Sequence, residues 1–236
     1  MFVSRFFNLT RSYSSIKLNQ KDLKIRLSTY KDSESINTLI YKDFLQNEPI
    51  VNTLHMDSTS VVPLFKDLLT SPFAKDYSVV CVNEKEKVIG CIITSLVTEL
   101  PQYAHLVNIH KPDDCNSIVD KNRQTLLDML LLAKQGLDKF KPKGTKAVLR
   151  FELAAVPPRY GGNGICKRMI CEGLPLIIEK IPEIKFSIAE ATNTYSLHAL
   201  TSSGYCLGPK ILFSDHGVEK SENGTDFIGG CYKIFN

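Results

Sequence analysis

Val156-Pro157-Pro158-Arg159-Tyr160-Gly161-Gly162-Asn163-Gly164-Ile165-Cys166-Lys167-Arg168-Met169 is the stretch on which the fold turns. The apolar run Ala147 to Val156 before it reads as a strand, and Ile165 to Ile181 after it reads as a helix. A glycine-bearing loop therefore leads from a strand end into a helix N-terminus. Such a turn aims several backbone N–H groups, and the positive end of the helix dipole, at one point. That point suits a phosphate or pyrophosphate. The same glycines would equally serve an ordinary β–α turn that needs their backbone angles.

Working outward, Leu23-Lys24-Ile25-Arg26-Leu27 alternates as the core of a strand over 24–30. Ile36, Leu39, Ile40 and Phe44 then recur at helical spacing, with Asp32 or Ser33 as N-cap. A second short helix is expected over 61–69, ended by Ser71-Pro72. Strands over 77–82 and 88–97 flank the charged turn Asn83 to Lys87. Residues 98–119 read as irregular loop, and 120–140 as an amphipathic helix. Beyond the glycine loop, Pro175 should kink or split the helix that contains it, because it removes the bond to Cys171. A strand over 184–190, a helix over 193–203 stopped by Gly204, and strands over 205–213 and 227–235 complete the chain. Periodicity alone limits the class to α/β or α+β.

Two familiar phosphate loops do not fit. The P-loop would need a further Gly and a hydroxyl after Lys167, and the dinucleotide fingerprint would need Gly where Lys167 stands. The stretch instead resembles motif A of the GNAT superfamily of N-acetyltransferases, V-x-P-x-Y-R-G-x-G-I-G-x-x-L. Val156, Pro158, Tyr160, Gly162, Gly164 and Ile165 match it, and Met169 stands for Leu. Gly161 departs from the usual Arg or Gln, and Cys166 from the usual Gly or Ala. The resemblance implies an acyl-CoA N-acyltransferase fold, a mixed, mostly antiparallel sheet with helices on both faces. It also implies acetyl-CoA as co-substrate, held by Ala154, Ala155, Val156, Gly161, Gly162, Asn163, Gly164, Ile165, Cys166 and Asn193. A backbone N–H at the end of the 147–156 strand would receive the developing oxyanion, and the same edge would bond pantetheine amides.

Phe44-Leu45-Gln46-Asn47-Glu48-Pro49-Ile50 is similar to the F-x-x-x-D-E-P-L signature of insect-type arylalkylamine N-acetyltransferases. Asn193-Thr194-Tyr195-Ser196 before Gly204-Tyr205 is similar to that branch's N-x-x-S…G-F ending. The resemblance implies a small primary amine as acceptor and Glu48 as general base. Chemistry demands such a group, since a protonated amine is no nucleophile until a base takes its proton, directly or through a water. A carboxylate partly desolvated by Phe44 and Ile50 would have a raised pKa suited to this. Thr192 and Ser196, one helical turn apart, are the expected partners of the leaving thiolate. Thr192 would otherwise be the helix N-cap, and Tyr195 and Tyr205 remain alternative acids. The competing function is a non-catalytic acyl-CoA-binding module, which would retain its ligand unchanged.

Composition narrows the field further. The 236 residues are 43% hydrophobic and 23% charged, enough for a real core, and the net charge of +4 is too mild to argue for nucleic acid. No apolar run approaches the ~20 residues of a membrane-spanning helix. Seven cysteines without a C-x-x-C pair suggest reduced thiols in an intracellular protein, and no residues have metal-ligand spacing. A nucleophilic hydrolase would have to use Cys166, with its pKa lowered at a helix start, but no His partner motif is present. The first twenty residues carry Arg5, Arg11 and Lys17, several hydroxyls and no acid. That is the composition of a mitochondrial transit peptide, and Arg11-Ser12-Tyr13-Ser14-Ser15 resembles a matrix-protease cleavage site. Residues 1–20 are thus expected to be a leader or disordered tail, and 21–236 one N-acetyltransferase domain, mitochondrial or else cytoplasmic. Oligomeric state is not readable.

Overall fold

The computed structural model describes residues 15–56, 61–62, 71–107 and 121–235. Among the described residues seven strands form one sheet: β1 Lys24–Leu27, β2 Val79–Val82, β3 Val88–Thr98, β4 Ala147–Ala155, β5 Ile184–Ala191, β6 Cys206–Leu212 and β7 Phe227–Ile234. Their spatial order is β1-β2-β3-β4-β5-β7-β6. Only β4 and β5 run parallel; every other neighbouring pair is antiparallel. A parallel pair cannot be joined by a tight hairpin and needs a crossover. Here that crossover is the glycine loop and the helix behind it.

Alternate side chains of the inner strands enter two cores, one on each face of the sheet. In β2, Val79 and Cys81 join one core while Val80 and Val82 join the other. The first core receives Ile165, Met169, Ile170, Leu174 and Ile177 from the crossover helix. The second receives Ile36, Leu39 and Ile40 from α1 (Ser33–Leu39) and the residues after it. Leu126, Met129 and Ala133 reach the same core from the long helix Lys121–Gln135. Helices thus cover both faces, as expected of this fold class.

Several elements differ from the sequence pattern. The crossover helix changes its winding just before Pro175. It runs as Ile165–Arg168, widens into a π turn over Met169–Gly173 and resumes as Leu174–Lys180. Pro175 lies two residues past the π turn, so its missing N–H falls where the winding has already changed. A second π turn, Ile40–Phe44, follows α1. Ser71-Pro72 also opens a helix, Pro72–Tyr77, with Pro72 at the favoured first position. The long helix stops at Gln135, and a separate 3₁₀ turn covers Asp138–Phe140. The helix expected over 61–69 lies outside the described residues apart from 61 and 62, as does the leader through residue 14. Of the expected loop 98–119, the described part contains a 3₁₀ turn, Pro101–Leu106.

Candidate active site

The loop between β4 and the crossover helix has the backbone its glycines imply. Gly162 and Gly164 have φ of +75° and +68°, which L side chains rarely adopt. A Cβ added to either would meet nothing within 4 Å, so open space lies over the loop where a ligand phosphate can approach.

Beside the loop the two parallel strands part. Their register runs from Ala147↔Ile184 to Phe151↔Ala189 and stops there. Beyond it, Leu153, Ala154 and Ala155 pair only with β3, and Glu190 and Ala191 only with β7. The backbone edge of β4 past Phe151 is therefore unpaired on the β5 side, a place for amide groups of a ligand to bond as an added strand would. Register also shifts between Ile93 and Thr94, which pair with Leu153 and Phe151 and leave Glu152 as the extra residue of a bulge.

A cavity of about 680 Å³ opens at this splay. Ala154 and Cys166 line its loop side, and Glu48, Thr192, Asn193 and Ser196 line its middle. Leu126, Leu127, Leu130 and Leu131 of the long helix form an apolar wall, with Leu96 and Val97 from β3.

Glu48 is the non-helical residue between two short helices, Leu45–Asn47 and Pro49–Thr53, with φ −76° and ψ 115°. Pro49 explains the break, because the residue before a proline is pushed out of the helical region. Glu48 is only 7% exposed. Burial pushes its carboxyl above the ordinary range, and hydrogen bonds from Thr192, the Asn193 side chain and the Ile50 backbone pull against that rise. The Thr192 hydroxyl donates to Glu48 Oε1 at 2.7 Å. A buried carboxylate with donors on it and an open cavity before it can accept a proton from a bound molecule.

Among solved structures, the chain is similar to arylalkylamine N-acetyltransferase 2 from Aedes aegypti. The TM-score is 0.71 at 15% identity, covering 91% of this chain and 100% of that one. The fold is that of the GNAT N-acetyltransferases. The polyamine N-acetyltransferase of Drosophila melanogaster, which forms N-acetylagmatine, matches with TM-score 0.66 at 14% identity, covering 91% of this chain and 100% of that one. The C-terminal condensation domain of Ebony, solved with beta-alanyl-dopamine, matches at 0.63 and 11% identity over 90% of this chain and 99% of that one. The sequence itself matches no family model and no curated protein. The likeness is one of architecture.

Within the GNAT fold the expected site residues separate into distinct groups. Val156 and Ile165 pack their side chains on the core, so only their backbone faces the loop region. The Asn163 side chain is engaged by residues 16 and 18 and by the Tyr160 carbonyl, so it offers a ligand only its backbone. Asn193 is drawn away from the loop. It caps the helix Thr194–Thr201, accepting from the Ser196 backbone N–H, and its side chain also meets Glu48. Thr192 is therefore not the N-cap but a direct partner of Glu48. Ser196 lines the cavity, yet its hydroxyl donates to the Asn193 carbonyl at 2.9 Å within the cap.

The two tyrosines considered as acids do not line the cavity. Tyr195 is 76% exposed, turned about 100° around the helix from Ser196. Tyr205 is 4% exposed and shares a 2.7 Å hydrogen bond with Ser187 in the core, where burial raises its pKa. The lowered pKa considered for Cys166 is also overturned: burial pushes the thiol up to about 11, the opposite of an activated nucleophile.

Sequence reasoning missed a charged group in the cavity wall: Lys134, Arg150, Glu152 and Glu190. Arg150 donates to Glu152 at 3.1 Å, and the Ser95 hydroxyl also bonds Glu152. Burial lowers the Lys134 pKa and raises that of Glu190. Among the described residues Arg150 Nε and Glu190 Oε1 have no hydrogen-bond partner. Charges at positions 150 and 152 of an otherwise apolar strand were the available signal.

Proposed function

We propose that this protein is an acetyl-CoA-dependent N-acetyltransferase that acylates a small primary amine with Glu48 as general base. The observation that carries the proposal is the buried Glu48 carboxylate, held by Thr192 at 2.7 Å in the cavity between the parted strands. Catalysis is preferred to a non-catalytic binding module because a buried carboxylate facing a cavity costs free energy to ionise and a base repays that cost in rate. The open loop over Gly162 and Gly164 fits a pyrophosphate, and the unpaired β4 edge fits a pantetheine arm. Those residues bind and orient the thioester, which supplies the acyl group.

Glu48 takes the proton that the ammonium must lose before its nitrogen can attack. The β4 backbone at Ala154 and Ala155 borders the reacting carbonyl. Ser196, one of the hydroxyls that line the cavity, is the one we assign to the leaving thiolate. The leucine wall favours an acceptor with an apolar or aromatic body, in the manner of an arylalkylamine.

The test is free-thiol release from acetyl-CoA across a panel of amines, with wild type and Glu48→Gln compared. Loss of a general base costs about 10²–10⁴ in rate, or roughly 3–5 kcal/mol of barrier. That loss should fall on kcat and leave acetyl-CoA affinity intact. Near-normal kcat in Glu48→Gln with the best amine would remove Glu48 as the base.

A further inference from the structure

Residues 16–23 lie along the outside of the glycine loop. The Ile16 N–H donates to the Arg159 carbonyl at 2.8 Å. Asn163 Nδ2 donates to the Ile16 carbonyl at 2.8 Å, and Asn163 Oδ1 accepts from the Leu18 N–H at 3.0 Å. One side-chain amide thus meets a carbonyl and an N–H two residues apart, as an adjacent strand would. Gln20 Nε2 donates to the Asn163 carbonyl at 3.0 Å. Arg168, in the first turns of the crossover helix, donates to the carbonyls of Gln20 at 2.9 Å and Leu23 at 3.3 Å. Leu18 packs on the core beside these contacts.

The position of Asn163 gives these bonds their meaning. It stands between Gly162 and Gly164, the two loop residues with positive φ. Glycine permits that backbone but does not enforce it, having the most conformational freedom to lose. A loop that forms only when its ligand arrives charges that ordering against affinity. Asn163 also donates to the Tyr160 carbonyl at 3.1 Å, so its amide closes the loop from within while residues 16 and 18 hold it from without. Arg159 extends the connection: its carbonyl accepts from Ile16, and its guanidinium meets Asp43 at 2.8 Å, five residues before Glu48.

We propose that residues 16–20 are a working part of the acyl-CoA site, a strap that sets Gly162–Gly164 in the conformation that receives the pyrophosphate. The Asn163 side chain, Leu18 and Ile16 then act by positioning the loop rather than by touching the co-substrate. The proposal rests on the acetyl-CoA reading above. It also means that the segment beginning just past the expected cleavage site at 11–15 contributes to affinity.

The test uses the full chain. Leu18→Pro deletes the N–H that Asn163 accepts and leaves the loop sequence untouched. Asn163→Ala cuts the same contact from the loop side. Leu18→Pro and Asn163→Ala should each weaken acetyl-CoA binding about tenfold by calorimetry, equivalent to about 1.4 kcal/mol. KM for acetyl-CoA should rise in step, by more than kcat at saturating acetyl-CoA falls or KM for the amine changes. Lost stability alone would not produce that split. Should Leu18→Pro lose its folded circular dichroism, Asn163→Ala decides. Acetyl-CoA affinity within twofold of wild type in the folded variants overturns the strap alone. A wild-type protein that binds no acetyl-CoA overturns both the strap and the reading beneath it.

Discussion

Thr192→Val removes the hydroxyl that donates to Glu48 Oε1 at 2.7 Å and keeps the side chain's shape. A hydrogen bond to a charged group contributes about 1.5–3 kcal/mol, and one pKa unit corresponds to about 1.36 kcal/mol. Losing it should therefore raise the Glu48 pKa by a further ~1–2 units. The lower end is expected, because the Asn193 side chain and the Ile50 amide still favour the ionised form. Burial has already pushed this carboxyl up, so the two effects add in the same direction. A base must be ionised to work, so the acid limb of kcat/KM should move to higher pH by the same amount. On the acid side of both limbs the variant should be about 10-fold slower, and well above them most of the rate should return. The assay is initial thiol release against pH, with wild type and variant given the same amine so that the acceptor's own titration cancels. A uniform drop at every pH, with the limb unmoved, would refute the reasoning. Thr192 would then be structural, or Glu48 not the base.

Glu48→Gln carries a second, opposite signature in stability. Folding raises the Glu48 pKa, so its favourable contribution is full below the ordinary carboxylate range and is lost as pH rises through the folded value. Relative to wild type, Glu48→Gln should hold its Tm at low pH and gain as pH rises; a relative loss with rising pH would contradict burial as the cause. Gly164→Glu puts a side chain at φ +68° and a negative charge at the expected anion site. It should abolish acetyl-CoA binding while the far-ultraviolet circular dichroism stays folded, and unchanged affinity by calorimetry would remove the loop from the site. Residues 1–14, fused to a fluorescent reporter, should carry it to mitochondria if they act as a transit peptide, and a diffuse cytosolic signal would end that proposal.

What could be read from the sequence is what short stretches of chain determine locally. The backbone angles of the 161–164 loop belong to its glycines, and the exit from helix at Glu48 belongs to Pro49, the next residue. Strand and helix periods came through for the same reason, with errors at their ends and at the two π turns, where packing changes the winding. The faces of the helix after β5 were less legible. Thr192 and Ser196 share a helix-like spacing, but the helix begins only at Thr194, so Thr192 is free to reach Glu48 while Ser196 is held in the cap.

The contacts that make a site were decided by the tertiary structure. Thr192 and Glu48 stand 144 residues apart in the chain, and Leu18 and Asn163 stand 145 apart. The cavity exists because β4 and β5 part after Phe151, once each is held on its other side by a different neighbour. The charges at 134, 150, 152 and 190 meet only because the long helix lies over those two strands. Residues 16–20 look like the end of a tail until the loop they hold is brought beside them. Backbone angles depend on a residue and its immediate neighbours, and one sequence can state them. A carboxyl's pKa and a loop's rigidity depend on whatever the fold packs around them, and those partners are distant in sequence.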